Sequence, residues 1–125
     1  MMEFIATAKA PAAIGPYAQA IKTGDWLYTS GQIPLTADGQ LVEGSIEDQT
    51  KQVLRNIKAI LDEAGATVEQ VVKVTVFLTD LSHFERVNEL YAQFFQGHTP
   101  ARSCIEVSKL PKGAQIEIEL VASLK

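Results

Sequence analysis

Residues 99–120 read TPARSCIEVSKLPKGAQIEIEL, and the fold turns on how this stretch is arranged. It holds two runs that read as β-strands, near 101–107 and 114–123. In the second run Ile116, Ile118, Leu120 and Ala122 alternate with Gln115, Glu117, Glu119 and Val121. That is the period-two pattern of a strand with one packed face. In the first run Ala101, Ser103, Ile105 and Val107 oppose Arg102, Cys104 and Glu106. An arginine, the only cysteine, and a glutamate fifteen residues after the arginine therefore sit inside strands. If the two strands pair antiparallel, stacking their apolar faces places Arg102, Cys104 and Glu117 on one face. The same placement is expected of separated strands, provided both pack under the same helices.

Working outward, residues 71–79 (VVKVTVFLT) form another β-branched run. Val72, Val74, Val76 and Leu78 are expected on its packed face, opposite Val71, Lys73, Thr75, Phe77 and Thr79. Before it, Ser45 can cap a helix whose apolar stripe is Val53, Leu54, Ile57, Ile60, Leu61 and Ala64, with Gly65 as its stop. After it, Ser82 and Glu85 have the spacing of a capping box. A stripe of Phe84, Val87, Leu90, Tyr91, Phe94 and Phe95 follows, closed by Gly97. Residues 17–33 suggest two short strands around a Thr-Gly-Asp turn, and TADGQL marks another turn, with a further strand possible beside it. The expected class is α+β: a mixed β-sheet with two helices on one face, in a single domain spanning 1–125. Two helices cannot cover both faces of a sheet. The other face, neither cleanly polar nor cleanly apolar, is expected to lie against another subunit. The alternative is a solvated face with a few stray apolar residues.

Composition sets the outer bounds. A chain of 125 residues, 46% hydrophobic and 21% charged, has the make-up of a globular domain with its own core. The net charge of −4 disfavours nucleic acid as the main partner, because phosphate binding needs a basic footprint. One cysteine permits no internal disulfide and fits a reducing compartment. No run is long enough for a membrane span, and the N-terminus lacks the pattern of a secretory signal. The cytoplasm is the expected location.

Few residues present themselves for chemistry. Arg102 offers a fork of donors suited to a carboxylate or phosphate, or else it balances Glu106, Glu117 or Glu119. Glu117 is a general acid/base or that arginine's counter-ion. Cys104 lacks a histidine partner and reads as packing rather than as a nucleophile. His83 and His98 lie fifteen residues apart, without a cysteine or aspartate at metal-ligand spacing, so no metal site is expected. Asn88 falls within a helical apolar stripe, where a buried amide needs partners. Tyr17, after a Gly-Pro pair, lines a cavity or joins the core. Ser30, Gly31 and Gln32 put a glycine where backbone approaches something closely.

The segments APAAIGPYAQA, TSGQIP, VNELYAQFF, PARSCIEV and LPKGAQIEIELVA together resemble the YjgF/Rid family, specifically its RidA-type imine deaminases. The likeness runs from about Ala10 to Ala122. It implies a chorismate-mutase-like fold and a homotrimer whose sheets close a central β-barrel, with clefts between subunits. It implies hydrolysis of 2-iminopropanoate and 2-iminobutanoate, which arise from 2-aminoacrylate and related enamines released by pyridoxal-phosphate dehydratases. The products are 2-oxo acids and ammonia. By the same resemblance Arg102 clamps the substrate carboxylate and Glu117 positions water. Tyr17 lines the cleft, Ser30, Gly31 and Cys104 hold the ligand through backbone, and Asn88 supports the site. No cofactor or metal is implied. Rival readings are an endoribonuclease, which would need a basic groove, and a non-catalytic trimeric carboxylate binder or chaperone, which would need Arg102 but not Glu117.

Overall fold

A computed structural model of the chain describes residues 2–125. Each helix begins and ends where local chemistry dictates. Ser45 accepts a hydrogen bond from the Asp48 N–H, starting α1 (Ile46–Ala64). Gly65 ends it at φ 75°, a left-handed conformation that glycine adopts without penalty. The second helix, α2 (Phe84–Phe95), starts differently from expectation. Asp80, not Ser82, supplies the cap, accepting from the Ser82 N–H at 2.9 Å. A 3₁₀ turn over Leu81–His83 then leads into the helix, and the Ser82–Glu85 capping box does not form. The left-handed closing residue is Gln96, one position before Gly97.

The strands are β1 (Met2–Ile5), β2 (Ala20–Thr23), β3 (Trp26–Thr29), β4 (Val71–Leu78), β5 (Ala101–Glu106) and β6 (Ile116–Ser123). They form one sheet in the order β1-β2-β3-β6-β4-β5. Only β4 and β5 are parallel; α2 connects them, as a parallel pair requires a crossover. The last two strands are therefore not partners, since β4 lies between them. β1 was not apparent in the sequence, where four residues at the terminus carry too short a pattern. Residues 35–41, around TADGQL, contribute one isolated bridge, Leu35 to Leu41, and not a full strand.

Both helices pack on the same face. Val53, Ile57, Ile60 and Leu61 of α1 and Val87, Leu90 and Phe95 of α2 meet Val74, Val76, Leu78, Ile116, Ile118 and Leu120 of the sheet. One expectation fails at the start of β4. A bulge between Val71 and Lys73 shifts the register, so Val71 is buried and Val72 is exposed. Among the described residues no helix covers the opposite face. One row across it reads Phe4, Ile21, Tyr28, Val121, Lys73, and another reads Ile105, Phe77, Glu117. Phe4 is 73% exposed and Tyr28 47%. No helix among the described residues is long and apolar enough to cross a membrane.

Candidate active site: two half-sites on opposite faces of the sheet

Glu117 lies on β6 and points to the uncovered face, in register with Phe77. Beside it the chain passes through Ser30, Gly31 and Gln32. Gln32 exchanges backbone hydrogen bonds with Ile118 at 2.8 and 3.1 Å. Ser30 is held on the other side: its N–H donates to the Gln19 carbonyl and its hydroxyl to the Ala18 carbonyl. Gly31 is thus fixed against the glutamate. A Cβ at this position would stand 1.9 Å from Glu117 Oε2, so any side chain here would displace the Glu117 carboxylate from its seat. The close approach expected at Gly31 is therefore to Glu117. Tyr17, Ser30, Gly31 and Glu117 line one cavity of about 560 Å³, walled by Pro11, Ile14 and Leu35. Burial, and secondarily the Glu119 charge, push the Glu117 carboxyl above the usual range.

Arg102 lies on β5, the edge strand, and pairs in register with Val74; Cys104 pairs with Val76. Both side chains therefore share the helix-covered face, away from Glu117. This corrects the expectation that Arg102, Cys104 and Glu117 share one face. The cause is the edge position, where α2 offers a polar and aromatic seat and Ile105 turns to the uncovered side. Arg102 Nη1 donates to Asn88 Oδ1 at 2.7 Å. The guanidinium lies 4.7 Å from the Tyr91 ring centroid and 5.3 Å from that of Phe84, within cation–π range. Asn88, Tyr91, His98 and Arg102 line a second cavity of about 400 Å³. Among the described residues no carboxylate forms an ion pair with Arg102.

Cys104 packs against the edge of the core. Burial raises its thiol pKa, and the nearby Arg102 only partly opposes this. That shift opposes formation of the thiolate, and its cause is burial and not a neighbouring Glu117.

Three buried amides escaped notice in the sequence. Gln19 accepts from the Thr7 N–H at 2.7 Å and donates to the carbonyls of Thr7 and Pro11. It ties down the N-terminal segment that walls the Glu117 cavity. Asn56 donates to the carbonyls of Ile33 and Leu35, and Gln49 joins the Val42 carbonyl to the Gln115 N–H. Gln49 and Asn56 occupy stripe positions with Val53 and Ile60, a signal available in the sequence. Gln19 has no such periodic marker.

The arrangement offers two chemistries: an unpaired, pre-oriented guanidinium for an anion, and a carboxyl with raised pKa for proton transfer. The family model described as endoribonuclease L-PSP matches residues 7–124. The chain belongs to the YjgF/Rid family. A RutC family protein of Pyrococcus abyssi is 53% identical over 121 residues, covering 96% of this chain and 95% of that one. A Thermotoga maritima structure, provisionally called an endoribonuclease, superposes with a TM-score of 0.97 at 49% identity, covering 100% of this chain and 99% of that one. TdcF of Escherichia coli, provisionally named a reactive intermediate deaminase, is 44% identical. Its structure with bound serine gives a TM-score of 0.92, covering 97% of this chain and 98% of that one. The α+β fold with one sheet and two helices is thus shared with YjgF/Rid structures.

Proposed function

We propose that this YjgF/Rid protein hydrolyses small 2-imino acids, 2-iminopropanoate and 2-iminobutanoate, to 2-oxo acids and ammonia. We place the reaction in clefts of a homotrimer, where the Arg102 face of one subunit meets the Glu117 face of the next. The observation that carries this reading is Arg102 itself. Asn88 and two aromatic rings hold it in place, and among the described residues no carboxylate pairs with it. A substrate carboxylate supplies that partner in the bidentate manner guanidinium favours. The serine bound to TdcF supports a ligand of similar size and charge.

The chemistry needs little more. A protonated imine carbon is already electrophilic. Glu117 takes a proton from water as the oxygen adds to that carbon, giving a carbinolamine. It then returns that proton to nitrogen; as the C–N bond breaks and ammonia leaves, the hydroxyl gives its proton to the Glu117 carboxylate and the carbonyl forms. A carboxyl held above the ordinary range can serve in both directions. Holding both reactants in place supplies much of the acceleration. The ribonuclease reading shares the family model's description and one neighbour's name, but the chain's net charge of −4 weighs against it.

A coupled assay tests the reading. Threonine dehydratase generates the imine, and semicarbazide traps what remains. Addition of this protein is expected to speed 2-oxobutanoate formation and reduce the trapped imine; unchanged trapping overturns the proposal.

A further inference from the structure

Away from both half-sites, the helix layer carries an open groove of about 660 Å³ between α1 and α2. Leu54, Val68, Leu90 and Phe94 line it with apolar surface. Lys51, Arg55 and Lys58 of α1 form one wall, at the i, i+4, i+7 spacing that places residues on one helix face. Asp62 and Glu69 stand at the other end. In a chain of net charge −4, three cations beside an apolar trough are a local reversal of sign. They are also largely uncommitted. Among the described residues Lys51 forms no ion pair, and Arg55 donates only to the neutral Gln52. Lys58 meets Asp62 in an exposed pair, a contact of little worth in water.

We infer that this groove docks an acidic amphipathic helix of a partner protein. Three features select that occupant. From Lys51 to Asp62 the α1 wall rises roughly 16 Å, or about three turns, which matches a helix lying along it. The trough is open along its length, whereas small molecules are usually enclosed on most sides. The charges also set a direction: the occupant carries acidic residues over Lys51, Arg55 and Lys58, and a basic residue beside Asp62 and Glu69. Apolar side chains at helical spacing fill the trough, the helix-in-groove mode of recognition. The groove shares no lining residue with the Arg102 cavity or the Glu117 cavity, so the contacts proposed between subunits do not use its walls.

Fluorescence anisotropy with the full chain tests this inference. The probe is a labelled synthetic helix with leucines on one face, flanking glutamates, and a lysine at the end that meets Asp62 and Glu69. Three comparators accompany it: a scrambled peptide of the same composition, a charge-inverted peptide, and a short single-stranded RNA. Saturable binding of the probe alone is expected, weakened by salt. The exposed double variant Lys51→Glu/Arg55→Glu should reduce affinity by roughly tenfold or more. Phe94→Ala, checked for folding by circular dichroism, should weaken binding with less salt dependence. Lack of probe binding overturns the inference, as does equal binding of either comparator peptide, tighter binding of RNA, or indifference to the double charge reversal. The double variant alters only surface residues, so the test stands even if Phe94→Ala fails to fold.

Discussion

Arg102 has five donors, and one of them is spent on Asn88. Removing it from a substrate-filled cleft leaves a desolvated carboxylate unpaired, a loss of about 2–5 kcal/mol. At about 1.4 kcal/mol per tenfold, Arg102→Ala is expected to lower kcat/KM for imine hydrolysis by roughly 30-fold or more, with assembly intact by light scattering. Arg102→Lys should recover only part of the loss, because a point charge cannot match the planar fork. Near-normal turnover of a folded Arg102→Ala protein would make this side chain structural. Glu117 gives a paired prediction in activity and stability. Its pKa is raised in the folded protein, so its favourable contribution is present below the unfolded value and lost as pH rises through the folded one. At neutral pH the ionised carboxyl therefore works against folding. Glu117→Gln should be more thermally stable than the parent at pH 7, yet slow in turnover. The parent's rate should climb with pH through an apparent pKa above that of an ordinary glutamate, and the variant should lose that limb. A variant both active and unchanged in pH profile would remove Glu117 from the mechanism.

Between residue and fold, the N-terminal segment depends on Gln19. Its amide is buried and bonds at both ends. Gln19→Ala leaves backbone groups near Thr7 and Pro11 without partners, at a cost of about 1–3 kcal/mol. Chemical denaturation should show that loss, and hydrogen exchange should quicken over residues 7–18 while α1 stays protected. Unaltered exchange there would mean that β1 alone anchors the segment. The helices were readable because their signals are local: Ser45 and Gly65 bracket α1, and its stripe has one apolar side. The faces of β6 were readable because its alternation is strict. β5 was not, because Ile105 is apolar on one side while Cys104, beside Arg102, is tolerable in the core on the other. Alternation alone then cannot choose a face at a sheet edge. The bulge at Val71–Lys73 was hidden for a related reason: two adjacent valines suit either register.

At the scale of the molecule, the uncovered face carries Phe4, Ile21, Tyr28 and Val121 in one row and Phe77 with Ile105 in another, with Lys73, Thr75, Glu117 and Glu119 between and beside them. Surfaces of this kind mark interfaces. Light scattering on a sizing column should report three chains per particle, and a stable, active monomer would refute the placement of the reaction between subunits. The proposed assembly also accounts for the two cavities, because a single sheet separates Arg102 from Glu117 and a closed cyclic trimer would bring one face of a subunit to another face of its neighbour.

That separation has a genetic consequence. In the proposed trimer no chain owns a whole reaction centre, so two alleles that are each dead should complement one another inside a mixed particle. In a ring, an Arg102→Ala subunit still lends its glutamate and a Glu117→Gln subunit still lends its arginine, which leaves one intact cleft in every mixed trimer. Co-refolding equal amounts should therefore restore about one quarter of parental activity from two inactive stocks, given random assembly into threefold rings. If each chain carried both groups to the same substrate, mixing would restore nothing.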